Sequence, residues 1–215
     1  MLHSLWIASV VPVIAAGCTL HCKMKDQDEK KWSILPKCIA TWMVVCTAAI
    51  GIMQQGNISY SVWILYAMIC FLLADGLLVV HFLAGMGVFA VGHILLLVWL
   101  IMQGHWNVWY LLVWLLGMIL VLSIFRDERK HIHENPMILL MILYAGVLMA
   151  MVTLALMLPI GRGSQYIGVA IGATLFAGSD MMVGKGFFHK LSKKTDFFCL
   201  TLYYSGIFFL SMGTW

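Results

Sequence analysis

The sequence predicts an all-α integral membrane protein with eight transmembrane helices in one bundle. Hydrophobic residues make up 63% of the 215 positions and charged residues only 10%, whereas a soluble domain carries roughly 25% charged residues. The mean hydropathy of the whole chain is +0.97. The apolar runs are continuous rather than alternating, which favours helices over a β-barrel.

Eight apolar runs are each close to the roughly 20 residues that a transmembrane helix needs. The first run has no basic segment before it and no small-residue cleavage site, so we predict a retained helix rather than a cleaved signal peptide. No segment is polar and long enough for a separate soluble domain, and residues 1–215 are therefore predicted to form a single transmembrane domain. The predicted helices cover residues 4–22, 34–53, 60–80, 84–102, 106–125, 136–159, 165–184 and 196–214.

The connections between the runs justify these divisions in order. A charged segment follows helix 1, and tight turns near residues 55, 82 and 104 separate helices 2 to 5. Charged connections then follow helices 5 and 7, while the connection after helix 6 contains a single basic residue, Arg162. Continuous apolar runs bounded by polar or turn residues are the pattern expected of a helical bundle in lipid.

The basic residues predict the orientation of the bundle. With eight helices, 12 of the 13 Lys and Arg residues fall on one side and only Arg162 on the other. The positive-inside rule makes the basic side cytoplasmic, so the N- and C-termini are both predicted to be non-cytoplasmic. The membrane surface accounts for the formal net charge of +4, and no nucleic-acid partner is expected. The basic residues of that side are Lys23, Lys25, Lys30, Lys31, Lys37, Arg126, Arg129, Lys130, Lys185, Lys190, Lys193 and Lys194.

Two of the nine acidic residues, Asp75 and Asp180, lie inside predicted helices. A charged side chain at the bilayer centre costs roughly 2.5–3.5 kcal/mol on insertion scales, so their presence needs an explanation. Both helices run toward the basic side, and both carboxyls lie about one to two turns before its surface. Helices 4 and 8 start from the same side, which brings His93, Tyr203 and Tyr204 to the same depth. The sequence therefore predicts one polar layer in the cytoplasmic half of the membrane.

Each member of this layer also has a purely structural interpretation. Either Asp can cap a neighbouring helix, His93 can form an interhelical hydrogen bond, and at least one of the two tyrosines can serve packing alone. Asp75, His93 and Asp180 together would supply enough ligands for a catalytic zinc ion. The chain has no HExxH motif and no cluster of three histidines, however, so no metal and no other cofactor is expected.

Three segments of the chain resemble one family. They read LLADGLLVVHFLAGMGVFAVGH (residues 72–93), AGSDMMVGKGFF (177–188) and TLYYSGIFFLS (201–211), and they resemble the YhhN family of eight-helix membrane proteins, which includes the lysoplasmalogenases. The resemblance implies hydrolysis of the vinyl ether bond of lysoplasmalogens, giving a fatty aldehyde and glycerophosphoethanolamine or glycerophosphocholine. The family also tends to show a Lys-Pro pair at the second helix, where this chain has the reverse order, Pro36-Lys37.

The catalytic residues expected from the resemblance and the polar layer are the two Asp, His93 and the tyrosine pair. Vinyl ether hydrolysis needs one protonated carboxyl to protonate the alkenyl carbon and a second carboxylate to stabilise the oxocarbenium ion and orient water. Two nearby carboxyls can divide such roles, but the sequence does not say which Asp takes which role. Basic residues at the rim, Lys37, Lys185 and Lys190, are expected to bind the phosphate of the lysophospholipid.

Two other classes of function remain open at this stage. Intramembrane carboxylates also relay protons or bind cations in transporters and flippases, and a lipid-binding or scaffold protein needs no chemistry at all. The expected partners are the lysophospholipid substrate and membrane lipids, and the sequence leaves the oligomeric state open. A bacterial protein of this kind would lie in the cell membrane and a eukaryotic one in an endomembrane.

Overall fold

The computed structural model describes residues 2–26, 32–55, 58–104, 107–128, 136–189 and 191–215. Within these ranges the chain forms eight α-helices, two short 3-10 helices and no strand, so the predicted all-α class is confirmed. The α-helices are α1 (Leu2–Asp26), α2 (Ile34–Gln55), α3 (Ile58–Val80), α4 (Phe82–Met102), α5 (Trp109–Ile124), α6 (Pro136–Arg162), α7 (Ile167–Phe188) and α8 (Lys193–Ser211). The 3-10 helices are Ser164–Tyr166, before α7, and Met212–Thr214, after α8.

Each predicted helix corresponds to one observed helix, and the differences lie at the ends. Helix α8 begins at Lys193 rather than at residue 196, because the side chain of Ser192 accepts a hydrogen bond from the backbone N–H of Thr195. Such a cap satisfies a free donor of the first turn and fixes the start of the helix outside the apolar run. Hydropathy alone does not detect this kind of boundary.

Seven of the described helices are long and apolar enough to cross a membrane, and α5 is a shorter apolar helix. With 16 residues, α5 extends about 24 Å along its axis, less than the roughly 30 Å thickness of a hydrocarbon core. The chain is thus a multi-pass integral membrane protein by the length and composition of its helices. The eighth span and the non-cytoplasmic termini stay predictions.

The helix order defines two ends of the bundle. Helices α1, α3, α5 and α7 finish at one end, where α2, α4, α6 and α8 begin, and we call it the basic end because the predicted basic connections lie there. An ion pair between Lys25 of α1 and Asp196 of α8 joins two helices at this end. A second pair, between Lys185 of α7 and Glu128 after α5, joins two more.

Helices α7 and α8 touch backbone to backbone. A Cβ atom on Gly172 would lie 2.8 Å from the carbonyl oxygen of Gly206, and one on Gly206 would lie 2.8 Å from the backbone nitrogen of Phe176. Only glycine permits this approach, which is typical of packed membrane helices. The crossing fixes the position of Asp180 on α7 relative to Tyr203 on α8.

The last residues of the chain fill the opposite end of the bundle. A Cβ atom on Gly213 would lie 3.1 to 3.2 Å from the side chains of Ile64, Val169 and Trp99, which belong to three different helices. The neighbouring Thr214 is fully buried. The interior around Gly213 and Thr214 is therefore occupied by protein.

Candidate active site

Asp75 is fully buried and is surrounded by hydrogen-bond donors. The hydroxyls of Thr41 and Tyr203 both donate to its Oδ2 atom, the second across 3.0 Å, and the Nζ atom of Lys37 lies 3.0 Å from its Oδ1 atom. Lys37 and Thr41 are one turn apart on α2 and so present both groups on one face. Two hydroxyl donors and one ammonium favour the ionised carboxylate.

Asp180 has a different environment. Its Oδ2 atom accepts a hydrogen bond from the hydroxyl of Tyr144 on α6, and it lies 3.6 Å from Nε2 of His93 on α4. The other ring nitrogen of His93, Nδ1, lies 2.8 Å from the backbone carbonyl oxygen of Phe89. His93 is fully buried, while 11% of the Asp180 side chain is exposed.

These contacts favour one proton on the Asp180–His93 pair. A carbonyl oxygen only accepts hydrogen bonds, so Nδ1 of His93 must be the donor to Phe89, and Nε2 of the neutral ring carries a lone pair. Nε2 has no hydrogen-bond partner among the described residues. If Asp180 were ionised and His93 neutral, the Nε2 lone pair would face a carboxylate oxygen with no proton between them. Two unpaired acceptors in a buried site are unfavourable. One proton on either group removes this repulsion.

Asp75 and Asp180 are both among the residues that line one cavity of about 150 Å³. The cavity extends to the basic end, since its walls include Phe82 at the start of α4 and Phe188 at the end of α7. Its lining is mainly apolar, as expected of a site for a lipid chain. The polar side chains in the lining include Lys37, Asp75, Glu128, Tyr144, Asp180 and Tyr203.

Aromatic rings surround the polar groups. The ring of Phe176 lies 4.8 Å from that of His93 and 5.1 Å from that of Phe71, centroid to centroid. Phe89 is 5.9 Å from Tyr203 by the same measure, and both rings line the cavity. Their faces are electron-rich and can stabilise a cation that forms between the carboxyls.

Glu128 lies at the mouth of the cavity, just after α5. Its Oε1 atom accepts a hydrogen bond from Nζ of Lys185 across 2.7 Å and lies 3.1 Å from Nε2 of His189. Burial alone would raise the pKa of the Glu128 carboxyl, but hydrogen bonds, first from Lys185, then from the backbone N–H of Glu128 itself and from His189, outweigh burial and lower this pKa below its usual range. Nζ of Lys185 also lies 5.1 Å from the centroid of the Phe125 ring.

The structure places the predicted site residues unequally. Asp75 and Tyr203 are in direct contact, and so are Asp180 and His93. The hydroxyl of Tyr204 instead donates to the backbone carbonyl of Lys37, across 2.9 Å.

The three lysines predicted to bind phosphate also differ. The side chain of Lys37 is only 13% exposed and contacts Asp75, while that of Lys185 is 33% exposed and contacts Glu128, which lines the cavity. Lys190 lies outside the described residues.

Three polar contributors were not predicted: Thr41, Tyr144 and Glu128. Thr41 and Tyr144 lie about two turns from the starts of α2 and α6 at the basic end, which is the depth argument that identified His93 and Tyr203. If the depth of every polar residue on these helices had been considered, Thr41 and Tyr144 would both have been predicted. Glu128 gave no such signal, because its charged connection resembles any solvated loop.

No group of three or more His, Cys, Asp or Glu side chains arranged to hold a metal ion occurs among the residues that the structure describes. Comparison with known families gives one match: the family model of the YhhN family matches residues 32–214, most of the chain. Neither a curated protein nor a solved structure matches.

Proposed function

We propose that this chain, which belongs to the YhhN family, is a membrane hydrolase that cleaves the vinyl ether bond of lysoplasmalogens. The products would be a fatty aldehyde and the corresponding glycerophosphoethanolamine or glycerophosphocholine. The observation that supports this proposal is the unequal carboxyl pair of the cavity. Asp180 lies 3.6 Å from the Nε2 atom of His93, a contact that favours a proton on one of the two groups, whereas Asp75 is surrounded by donors.

In the first step, Asp180 supplies its proton to the alkenyl carbon that is β to the ether oxygen. The electron pair of the double bond forms the new C–H bond, and the ether oxygen shares its lone pair with the neighbouring carbon. The resulting oxocarbenium ion is stabilised by the negative charge of Asp75 and by the faces of Phe89 and Tyr203. Tyr144 and His93 stay in contact with the Asp180 carboxylate that is left behind.

In the second step, water attacks the cationic carbon and Asp75 accepts its proton, giving a hemiacetal. The hemiacetal then collapses as Asp75 returns that proton to the ether oxygen and Asp180 takes the proton of the hydroxyl group. The C–O bond to glycerol breaks and the aldehyde forms. Both carboxyls regain their starting states, and one water molecule is consumed, as in the acid–base cycles of glycosidases.

The depth of the carboxyls fits a lysolipid that enters from the leaflet at the basic end. Its phosphate would stay at the membrane surface near Lys185, and its vinyl ether would lie just below, at the level of Asp75 and Asp180. The alkenyl chain would follow the apolar cavity between the helices. The closely packed interior around Gly213 at the opposite end is consistent with entry from the basic end.

Release of fatty aldehyde by the purified protein in detergent tests the proposal. The saturated-ether analogue of the same lysolipid is the matched control, because it has no double bond to protonate. The proposal expects aldehyde from the vinyl ether lipid and none from the analogue. Lipid or cation movement across reconstituted vesicles without aldehyde would instead support a transporter that uses the same carboxyls.

A further inference from the structure

Glu128 lines the cavity at its basic end, and one of its two carboxylate oxygens has no donor among the described residues. The residue is 7% exposed and lines the cavity. Its Oε1 atom contacts Lys185 and His189, whereas its Oε2 atom is buried and has no hydrogen-bond partner among the described residues. A buried charged oxygen without a donor is unfavourable, and neither step of the reaction uses it.

We propose that Oε2 of Glu128 binds the primary ammonium group of an ethanolamine headgroup while Lys185 binds the adjacent phosphate. The inference rests on the proposed function and extends it to the choice of headgroup. Glu128 and Lys185 form a neighbouring pair of opposite charges, and a phosphoethanolamine group carries the complementary pair. The ammonium supplies the donor that Oε2 lacks.

The spacing along α7 suits this arrangement. Lys185 follows Asp180 by five residues, which is about 7.5 Å along the helix axis. In the lysolipid, the oxocarbenium carbon and the phosphorus atom are six covalent bonds apart, a distance of the same order. Only four further bonds separate phosphorus from nitrogen, and Glu128 is in direct contact with Lys185.

The same contacts predict selection against choline. The trimethylammonium group has no N–H to donate, so it would leave the Oε2 atom of Glu128 buried and unpaired. Binding sites that hydrogen-bond a substrate group discriminate strongly against analogues that lack it. Choline is otherwise recognised by aromatic faces, and the ring of Phe125, which lines the cavity beside this contact, already has Nζ of Lys185 over it.

The test compares ethanolamine and choline lysoplasmalogens as substrates of the wild type, of Glu128→Gln and of Asp127→Asn. Asp127 is the matched control, because it is the exposed acidic neighbour in the same connection and does not line the cavity. We expect kcat/KM of the wild type and of the control to favour ethanolamine by about tenfold or more, the order of a hydrogen bond to a charged group. Glu128→Gln should lose most of this preference through a higher KM for the ethanolamine lipid.

A second measurement separates this inference from the proposed hydrolysis. Saturated-ether lysolipids with the two headgroups bind without turnover, so their Kd values report headgroup choice even if no aldehyde forms. Tighter binding of the ethanolamine analogue to the wild type, reduced in Glu128→Gln, supports the inference. Equal Kd values for the two headgroups in the wild type would overturn it and leave the hydrolysis untouched.

Discussion

The Nε2 atom of His93 faces the Oδ2 atom of Asp180 across 3.6 Å, while the Nδ1–H of the same ring is bonded to the carbonyl of Phe89. The imidazole can therefore offer Asp180 only a lone pair unless the ring is charged, so the contact favours one proton on the pair. Asp75 has no such neighbour and receives an ammonium and two hydroxyls instead. This difference is the basis for assigning acid to Asp180 and carboxylate to Asp75.

Replacement of either carboxyl should stop hydrolysis. Asp180→Asn has no acidic proton to give, and Asp75→Asn can neither stabilise the oxocarbenium ion nor accept a proton from water. Each variant should lose about 10²- to 10⁴-fold in kcat, the usual cost of an acid–base group, while it still folds. Aldehyde release per folded protein measures the effect, and normal turnover by one variant would remove that Asp from the mechanism.

Neutralising Lys37 and Lys185 should have different kinetic consequences. Lys37 contacts Asp75 inside the cavity wall, so Lys37→Met should mainly lower kcat. Lys185 contacts Glu128 at the basic end of the cavity and is proposed to hold the headgroup in ground and transition states alike, so Lys185→Met should mainly raise KM. The two substitutions remove the same charge from chains of similar length, and each serves as the control for the other.

Loss of Lys37 should also destabilise the protein, because it leaves the Asp75 carboxylate buried without its cation, at a cost of about 3–5 kcal/mol. The double variant Lys37→Met/Asp75→Asn should recover stability but not activity. Matching KM effects for both lysines would contradict this assignment of Lys37.

The neighbouring tyrosines of α8 provide a matched pair. Tyr203→Phe removes a hydroxyl that donates to Asp75, and the loss of a hydrogen bond to a charged group costs about 1.5–3 kcal/mol, so kcat should fall roughly tenfold to a hundredfold. Tyr204→Phe removes a bond to the backbone of Lys37 and should affect unfolding more than turnover. Measuring kcat by steady-state kinetics and the midpoint of thermal unfolding for both variants distinguishes a catalytic role from a structural one. Equal losses of kcat would contradict a specific role for Tyr203.

The all-α fold and the polar layer followed from the sequence because both depend on hydropathy and helix length. The depth of a residue in the membrane can be estimated by counting residues from the nearest connecting turn. This count predicted that His93 and Tyr203 lie at the level of the two acids. Rotation about the helix axis is not readable in this way. Lys37 was predicted to bind phosphate at the rim, and its contact with Asp75 depends on how α2 and α3 pack.

The sequence also could not predict which hydrogen-bond donor contacts which of the two acids. Tyr144 and Tyr203 lie at similar depths, and only the packing of α6 and α8 directs the first to Asp180 and the second to Asp75. The burial of Glu128 could not be predicted for a related reason. This loop residue becomes buried only because the ends of α5 and α7 meet. The distinction between the two acids follows from these tertiary contacts.

The contact of Glu128 with Lys185 should give the protein a pH-dependent increment of stability. Because the pKa of this carboxyl is lowered on folding, the increment is fully present above the unfolded-state value of about 4.3. It is lost as the pH falls further, through the lowered folded-state pKa. The thermal midpoint of the wild type should therefore exceed that of Glu128→Gln. This difference should persist as the pH is lowered to about 4.3 and should shrink below that value. A margin that disappears between neutral pH and about pH 6 would contradict this assignment, because Glu128 does not titrate there.

The central claim is that Asp180 protonates carbon, and hydrolysis in D₂O tests it most directly. A lysoplasmalogen cleaved by the wild type in D₂O, with the aldehyde trapped at once by borohydride reduction, should carry one deuterium on the carbon next to the former aldehyde carbon. Undeuterated fatty aldehyde, incubated and reduced in the same way, controls for exchange. Asp180→Asn should yield no labelled product. Aldehyde without deuterium at that carbon, or labelled aldehyde formed at the wild-type rate by Asp180→Asn, would contradict the mechanism.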